Sequence, residues 1–156
     1  MKVTLIGLGA MGAFFAPKLD AFLGKGYFRV LAAGSRKEKI ESKGVTINGV
    51  THHFTVITPE VKDDPTDLVI MAVKGMSLDQ AVKDIRNQVG PDTQILGVMN
   101  GVDSEKQIAA VYGWDHVLYS YMRVSIVMQD GVANYDPDVG KVHFGEAKNA
   151  VISARV

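Results

Sequence analysis

Near its amino terminus the chain reads Gly7-Leu8-Gly9-Ala10-Met11-Gly12, a G-x-G-x-x-G spacing set between an apolar stretch and a helix-like one. In a chain with sixteen glycines the spacing alone restricts little; its position between strand and helix is what makes it restrictive. Residues 2 to 6, KVTLI, read as a short buried strand. AMGAFFAPKLDAFLGKG reads as a helix that turns Phe14, Phe15, Leu19, Phe22 and Leu23 toward one side. Gly7 then permits a tight turn, Gly9 lets a pyrophosphate approach the backbone, and Gly12 lets helix and sheet pack closely. The helix start offers free N–H groups and a partial positive charge to the phosphates, and Leu8, Ala10 and Met11 complete the turn. The competing reading is a purely structural glycine turn. Pro17 lies inside the helix, lacks the N–H that would bond back to Ala13, and predicts a kink.

The alternation continues. FRVLAAG, residues 28 to 34, reads as the second strand and gives way to the polar stretch SRKEKIESKG. VTINGVTHHFTV contains two alternating runs about Asn48-Gly49, a hairpin signal inserted into the pattern. DLVIMAVK is nearly continuous in aliphatic residues, as expected of a central parallel strand covered on both faces. SLDQAVKDIRNQV follows as a helix with Ser77 as its cap, then TQILGVMNG as a strand and DSEKQIAAVYG as a helix. After residue 116 the chain reads as strands, with turns at Asp130-Gly131 and around Asp138 to Gly140. The expected fold is α/β, a Rossmann-like doubly wound parallel sheet with antiparallel strands added after residue 116.

Composition sets the class of partner. The chain has 156 residues, enough for one domain, and seventeen basic residues balance seventeen acidic ones. No global field favours nucleic acid, and no basic run suggests a membrane surface. The apolar N-terminal stretch is interrupted by glycines and falls short of the roughly 20 uninterrupted residues of a membrane span. Cysteine is absent, which removes thiolate chemistry and fits a reducing compartment, so the expected location is cytoplasmic and the expected partner a small molecule.

Doubly wound sheets bind ligands beyond the carboxyl ends of their strands. That rule joins three places: the turn at Gly7, Lys74 after the third alternating strand, and Asn100 after the fourth. Lys74 is either a solvated end of strand or a charge aimed at a ligand, with Gly75 letting the backbone turn away close by. After the second strand the acidic residue that would accept from the ribose 2′-hydroxyl of NAD is missing. Ser35 and Arg36, with Lys37 and Lys39 near, can instead donate to a 2′-phosphate, which favours NADP(H). A solvated basic loop is the alternative, since Glu38 and Glu41 balance the stretch. No catalytic residue emerges: His52, His53, His116 and His143 read as surface or core, and neither a metal-ligand spacing nor a nucleophile elbow is present.

The ordered series LIGLGAMG, GSR, AVKGMS, VMNGVDSE and GKVHFGE resembles the 2-dehydropantoate 2-reductase (ketopantoate reductase) family over residues 3 to about 146. The resemblance implies an enzyme that reduces 2-dehydropantoate, a 2-oxo acid, to pantoate with NADPH on the route to pantothenate and coenzyme A. It implies that Arg36 meets the 2′-phosphate, that Lys74 touches the cofactor and lines the substrate crevice, and that Asn100 bonds both nicotinamide side and substrate. Val127 matches a position whose backbone contacts the cofactor. The family's proton-donating lysine and a substrate-binding glutamate belong to a second, helical domain. Residues 1 to 156 then represent the cofactor domain alone, ending at KNAVISARV within a helix, able to bind NADPH weakly without turnover, and prone to self-association through the surface that would meet the second domain. The alternatives are the cofactor domain of a β-hydroxyacid dehydrogenase, although its Ser-Gly-Gly loop is missing, and a non-catalytic dinucleotide-sensing module.

Overall fold

The computed structural model describes residues 1–62, 64–99, 103–146 and 154. Strand β1 (Val3–Ile6) leads through the glycine turn into helix α1 (Ala10–Leu23), followed by β2 (Phe28–Leu31) and helix α2 (Gly34–Lys43). A hairpin of β3 (Val45–Ile47) and β4 (Val50–His52) precedes the short β5 (Val56–Ile57). Next come β6 (Thr66–Met71), α3 (Leu78–Asp84), β7 (Val89–Gly97), α4 (Ser104–Tyr112) and β8 (Val117–Arg123). Then β9 (Val127–Gln129), β10 (Val132–Asn134) and β11 (Lys141–Gly145) complete the described elements.

Seven strands form one sheet in the order β11-β8-β7-β6-β1-β2-β5. All neighbours from β8 to β5 run parallel, and only β11 is antiparallel. The chain works outward from β1 to β5 and then returns to place β6 on the other flank of β1. Strand order therefore reverses between β1 and β6, the place where a doubly wound sheet forms its ligand crevice beyond the carboxyl ends of the strands. At its centre, in β1, β2 and the second half of β6, the sheet is buried on both faces, which is why these strands are almost continuously apolar. Val3, Leu5 and Ile70 pack with Ala13 and Ala16 of α1. Ile6, Val69 and Met71 pack on the other face with Leu78 and Val82 of α3 and Ile108 of α4.

The expected fold class holds, with local differences. Strand β2 is shorter than expected, and the polar stretch after it is a helix, α2, whose single buried residue is Ile40. With one apolar anchor in ten residues, no helical periodicity was there to read. The first strand after residue 116 joins the parallel sheet through Ile95↔Val117 and Leu96↔Leu118 before β11 adds antiparallel to it. Ser77 does not cap α3; residues 75–77 form a 3₁₀ turn that runs straight into it, and no side chain caps either. Helix α1 continues through Pro17 to Leu23. The Ala13 carbonyl, which Pro17 has no N–H to serve, receives the Tyr135 hydroxyl at 3.4 Å.

The Asn48-Gly49 hairpin forms as expected, with positive φ at both residues (49° and 78°). It belongs to a second sheet, β4-β3-β10-β9, in which β3 and β10 run parallel, with Ile47 opposite Ala133. Ile47 and Ala133 are buried in the same core as α1, so this sheet covers the α1 face of the large one.

At the opposite end of the large sheet from the crevice, Arg29 is buried among polar partners. It donates to Asp64, to Gln88 Oε1 at 2.8 Å and to Thr4 Oγ1 at 3.4 Å, and Lys2 donates to the same Asp64 carboxylate. The hydrogen bond from Lys2 holds the Asp64 carboxyl below the usual aspartate range, burial opposes it, and the charges of Arg29 and Lys2 lower it further. A carboxyl depressed in the native state stabilises fully above its unfolded value, near 4, and loses that contribution as pH falls through the native value. Asp64→Ala should cost about 2 kcal/mol in urea unfolding at pH 7. That is below the range for a wholly buried pair, because Asp64 is half exposed to water. Repeating the unfolding at pH 3 should shrink the difference; a constant difference would show that the charge contributes nothing.

Candidate functional site

Three backbones meet at the reversal of strand order. Gly7, directly after β1, has φ of +96°, and a Cβ built on it would lie 2.6 Å from the carbonyl of Ala72 and 2.7 Å from the nitrogen of Val73. The glycine turn therefore rests against the chain just after β6, two residues before Lys74. Gly12 is closed in the same way: its Cβ would collide with the Gly7 carbonyl oxygen. These two glycines are demanded by the protein itself.

Gly9 differs. It is the N-cap of α1 with φ of −93°, a conformation open to any residue, and a Cβ there would meet nothing within 4 Å. No side chain caps α1 and no acidic residue lies in its first turn, so neither a cap nor a carboxylate of its own answers its first N–H groups and positive end. Leu8 and Met11 pack partly buried against the core and offer the turn only their backbone. Ala10 is half-buried at the first position of the helix.

Ser35 and Arg36 are exposed in the first turn of α2, immediately beyond the end of β2. Lys37, the next residue, is held by Glu41 at 2.7 Å one turn later. Among the described residues Arg36 has no hydrogen-bond or ion-pair partner. The Nζ of Lys39 lies 3.7 Å from the Cβ position of Gly131, so the β9–β10 turn sits beside this helix.

Lys74 is exposed, three residues past β6, and its carbonyl accepts from the Ser77 N–H at 2.8 Å to close the 3₁₀ turn. Gly75 does not need glycine's freedom there: its φ lies outside the left-handed region and its Cβ would meet nothing within 4 Å. Asn100 lies outside the described residues, as does most of KNAVISARV. Val127 is 61% exposed and starts β9 at the edge of the second sheet, and no hydrogen bond among the described residues joins it to the glycine turn. The structure thus brings together Gly7, Gly9, Gly12 and the approach to Lys74, and sets Ser35 and Arg36 at the end of β2.

Of the histidines, His52 stacks on Phe54, His116 bonds the Thr93 carbonyl through Nδ1 at 2.7 Å, and His143 stacks on Tyr121. None of these reaches the glycine turn. Sequence reading passed over Glu105, which is buried in the first turn of α4 beside the carboxyl end of β7. Its signal was the acidic residue at a helix start in VDSEKQ. Among the described residues no helix is long and apolar enough to cross a membrane.

Comparison with known proteins gives a consistent result. The family model described as ketopantoate reductase PanE/ApbA matches residues 3–149. A 2-dehydropantoate 2-reductase of Mesorhizobium japonicum is 30% identical over 106 residues, covering 65% of this chain and 32% of that protein. One from Lactococcus lactis subsp. lactis is 30% identical over 117 residues, covering 69% and 36%. The chain spans about a third of the length of these curated relatives.

Among solved structures, the ternary structure of D-mandelate dehydrogenase with NADH and anilino(oxo)acetate superposes with a TM-score of 0.81 at 22% identity. It covers 96% of this chain and 50% of that one. The 2-dehydropantoate 2-reductase of Methylococcus capsulatus superposes with a TM-score of 0.76 at 23% identity, covering 99% and 51%. At these identities the structural likeness speaks for the fold.

Proposed function

Since the chain belongs to the ketopantoate reductase PanE/ApbA family, we propose that it is the NADPH-binding portion of a reductase that converts 2-dehydropantoate to pantoate in coenzyme A biosynthesis. The observation that carries the cofactor assignment is the open Gly9 position at an uncapped helix start, between two glycines closed by their own neighbours. A pyrophosphate fits that cradle: its oxygens would accept from the first N–H groups of α1, with the helix dipole favouring its charge.

The residues present suit a nicotinamide dinucleotide. When bound, such a cofactor supplies a hydride; the chain's part is to bind and orient it. Ser35 and Arg36 would hold the 2′-phosphate at the end of β2, which sets the adenine on that flank and the nicotinamide on the β6–β7 flank. Lys74 would meet the cofactor and the carboxylate of a 2-oxo acid, and Asn100 would hydrogen-bond both. Val127 would add a backbone contact from β9. NADH is bound in the D-mandelate dehydrogenase of similar fold, so fold does not choose between the cofactors. Ser35 and Arg36 argue for NADPH.

On this reading these residues bind the dinucleotide in the cytoplasm, and the chain spans about a third of the length of its curated relatives. The exposed Tyr119, Tyr121 and Phe144 of β8 and β11 support the expected self-association. Calorimetric titration tests the proposal: NADPH should bind, and Lys74→Ala should weaken it about tenfold, the worth of one charge-assisted hydrogen bond. No heat with NADPH would contradict it.

A further inference from the structure

Two charged residues among the described ones are less than a tenth exposed, Arg29 at 4% and Glu105 at 7%. The charge of Arg29 is answered by Asp64. Glu105 has no cationic partner among the described residues; Oε2 accepts from the Ser104 hydroxyl at 2.9 Å. Burying a carboxylate without a cation is costly, and the first turn of a helix is where the dipole offsets part of that cost.

The place is informative as well. A Cβ on Gly97, the last residue of β7, would stand 3.9 Å from both Glu105 Oε1 and Ser104 Oγ. From the other side, the Ser120 hydroxyl of β8 donates to the Gly97 carbonyl. Polar groups from α4 and β8 thus converge on one strand end, at the opposite end of the sheet from the buried Arg29, Thr4 and Gln88. The connection from Gly97 to Ser104 carries Asn100 in sequence.

We propose that Glu105 is a positioning residue for the nicotinamide half of the site. Its carboxylate fixes the first turn of α4 against the carboxyl end of β7, so that the β6–β7 flank of the crevice keeps the shape the nicotinamide end needs. The inference rests on the dinucleotide reading above. It places Glu105 away from the glycine turn and from α2, which hold the adenine half, so the two halves should respond differently to its loss.

The test compares NADPH with 2′-phospho-ADP-ribose, which lacks the nicotinamide ring, by calorimetry well below the melting temperature. Glu105→Gln keeps the shape and removes the charge; it should weaken NADPH about tenfold and leave 2′-phospho-ADP-ribose within twofold. Ser104→Ala, a milder change should Glu105→Gln fold poorly, should shift NADPH two- to threefold in the same selective way. Equal losses for both ligands would mean general loosening and overturn the proposal, as would no loss for either. If the unaltered chain binds neither ligand, the dinucleotide reading fails and takes this inference with it. If it binds both and the variants match it, the inference alone fails.

Discussion

Gly9→Ala should cost the fold at most about 1 kcal/mol and weaken NADPH binding by about tenfold to a hundredfold, whereas Gly12→Ala should unfold the chain much more readily. The two substitutions add the same methyl group to the same turn, so the contrast isolates what each glycine is for. At Gly9 the backbone is in an ordinary conformation and the added Cβ meets nothing within 4 Å. Replacing Gly by Ala at an N-cap then costs at most about 1 kcal/mol. The methyl would, however, occupy the space through which a pyrophosphate reaches the N–H groups of α1, and overpacking of about 1–3 kcal/mol corresponds to the loss of affinity given. At Gly12 the same methyl runs into the Gly7 carbonyl. Backbone cannot move aside as a flexible side chain can, so a loss of about 3 kcal/mol is expected in urea unfolding. Gly7→Ala should behave like Gly12→Ala, with the strain of a positive φ added to the contact with Ala72. Unchanged NADPH affinity in Gly9→Ala would return the turn to a purely structural role.

That contrast also marks how far the sequence could be read. G-x-G-x-x-G between a strand and a helix was enough to place β1, the turn and α1, because the glycines and the apolar periodicity are local signals. The central β6 was legible from its unbroken aliphatic run, and the β3–β4 hairpin from Asn48-Gly49. What could not be read depends on contacts made far along the chain. Nothing in VTI or VAN says that Ile47 will lie beside Ala133 in a second sheet, or that Tyr135 will cover the Ala13 carbonyl left by Pro17. Helix α2 was missed because Ile40 is its one buried side chain, so the helix owes its place to the end of β2 more than to its own pattern. Among the site residues, the motif spacing already assigned Gly7, Gly9 and Gly12 separate parts, and what only the packing supplies is the backbone that closes Gly7 and Gly12 and the open space around a Cβ at Gly9. Glu105 was invisible as a site residue for a related reason: an acidic side chain at a helix start is ordinary, and burial at a strand end is not written locally.

Arg36→Glu should reverse the cofactor preference, lowering the NADPH-to-NADH affinity ratio by about two orders of magnitude. Helix α2 begins directly beyond β2, where a doubly wound fold recognises the adenine ribose, and the residues there are Ala33, Gly34, Ser35 and Arg36, with no carboxylate to accept from a 2′-hydroxyl. Of the neighbouring cations, Lys37 is engaged with Glu41, while Arg36 is exposed and has no partner among the described residues. A guanidinium so placed can donate two parallel hydrogen bonds to a phosphate, each charge-assisted. Bonds of that kind contribute about 1.5–3 kcal/mol, so losing them weakens NADPH by roughly tenfold to a hundredfold. Glutamate adds repulsion toward the 2′-phosphate and supplies an acceptor for the 2′-hydroxyl of NADH, which moves the ratio further in the same direction. Lys37→Ala serves as the control, since its ammonium is already held by Glu41, and should change either affinity by less than twofold. The preference for NADPH in the unaltered chain should also weaken as salt rises, because an exposed guanidinium is screened over about 8 Å at physiological ionic strength. Equal affinities for NADPH and NADH before any substitution would make the stretch from Ser35 to Glu41 a solvated helix face and leave the chain without a 2′-phosphate site.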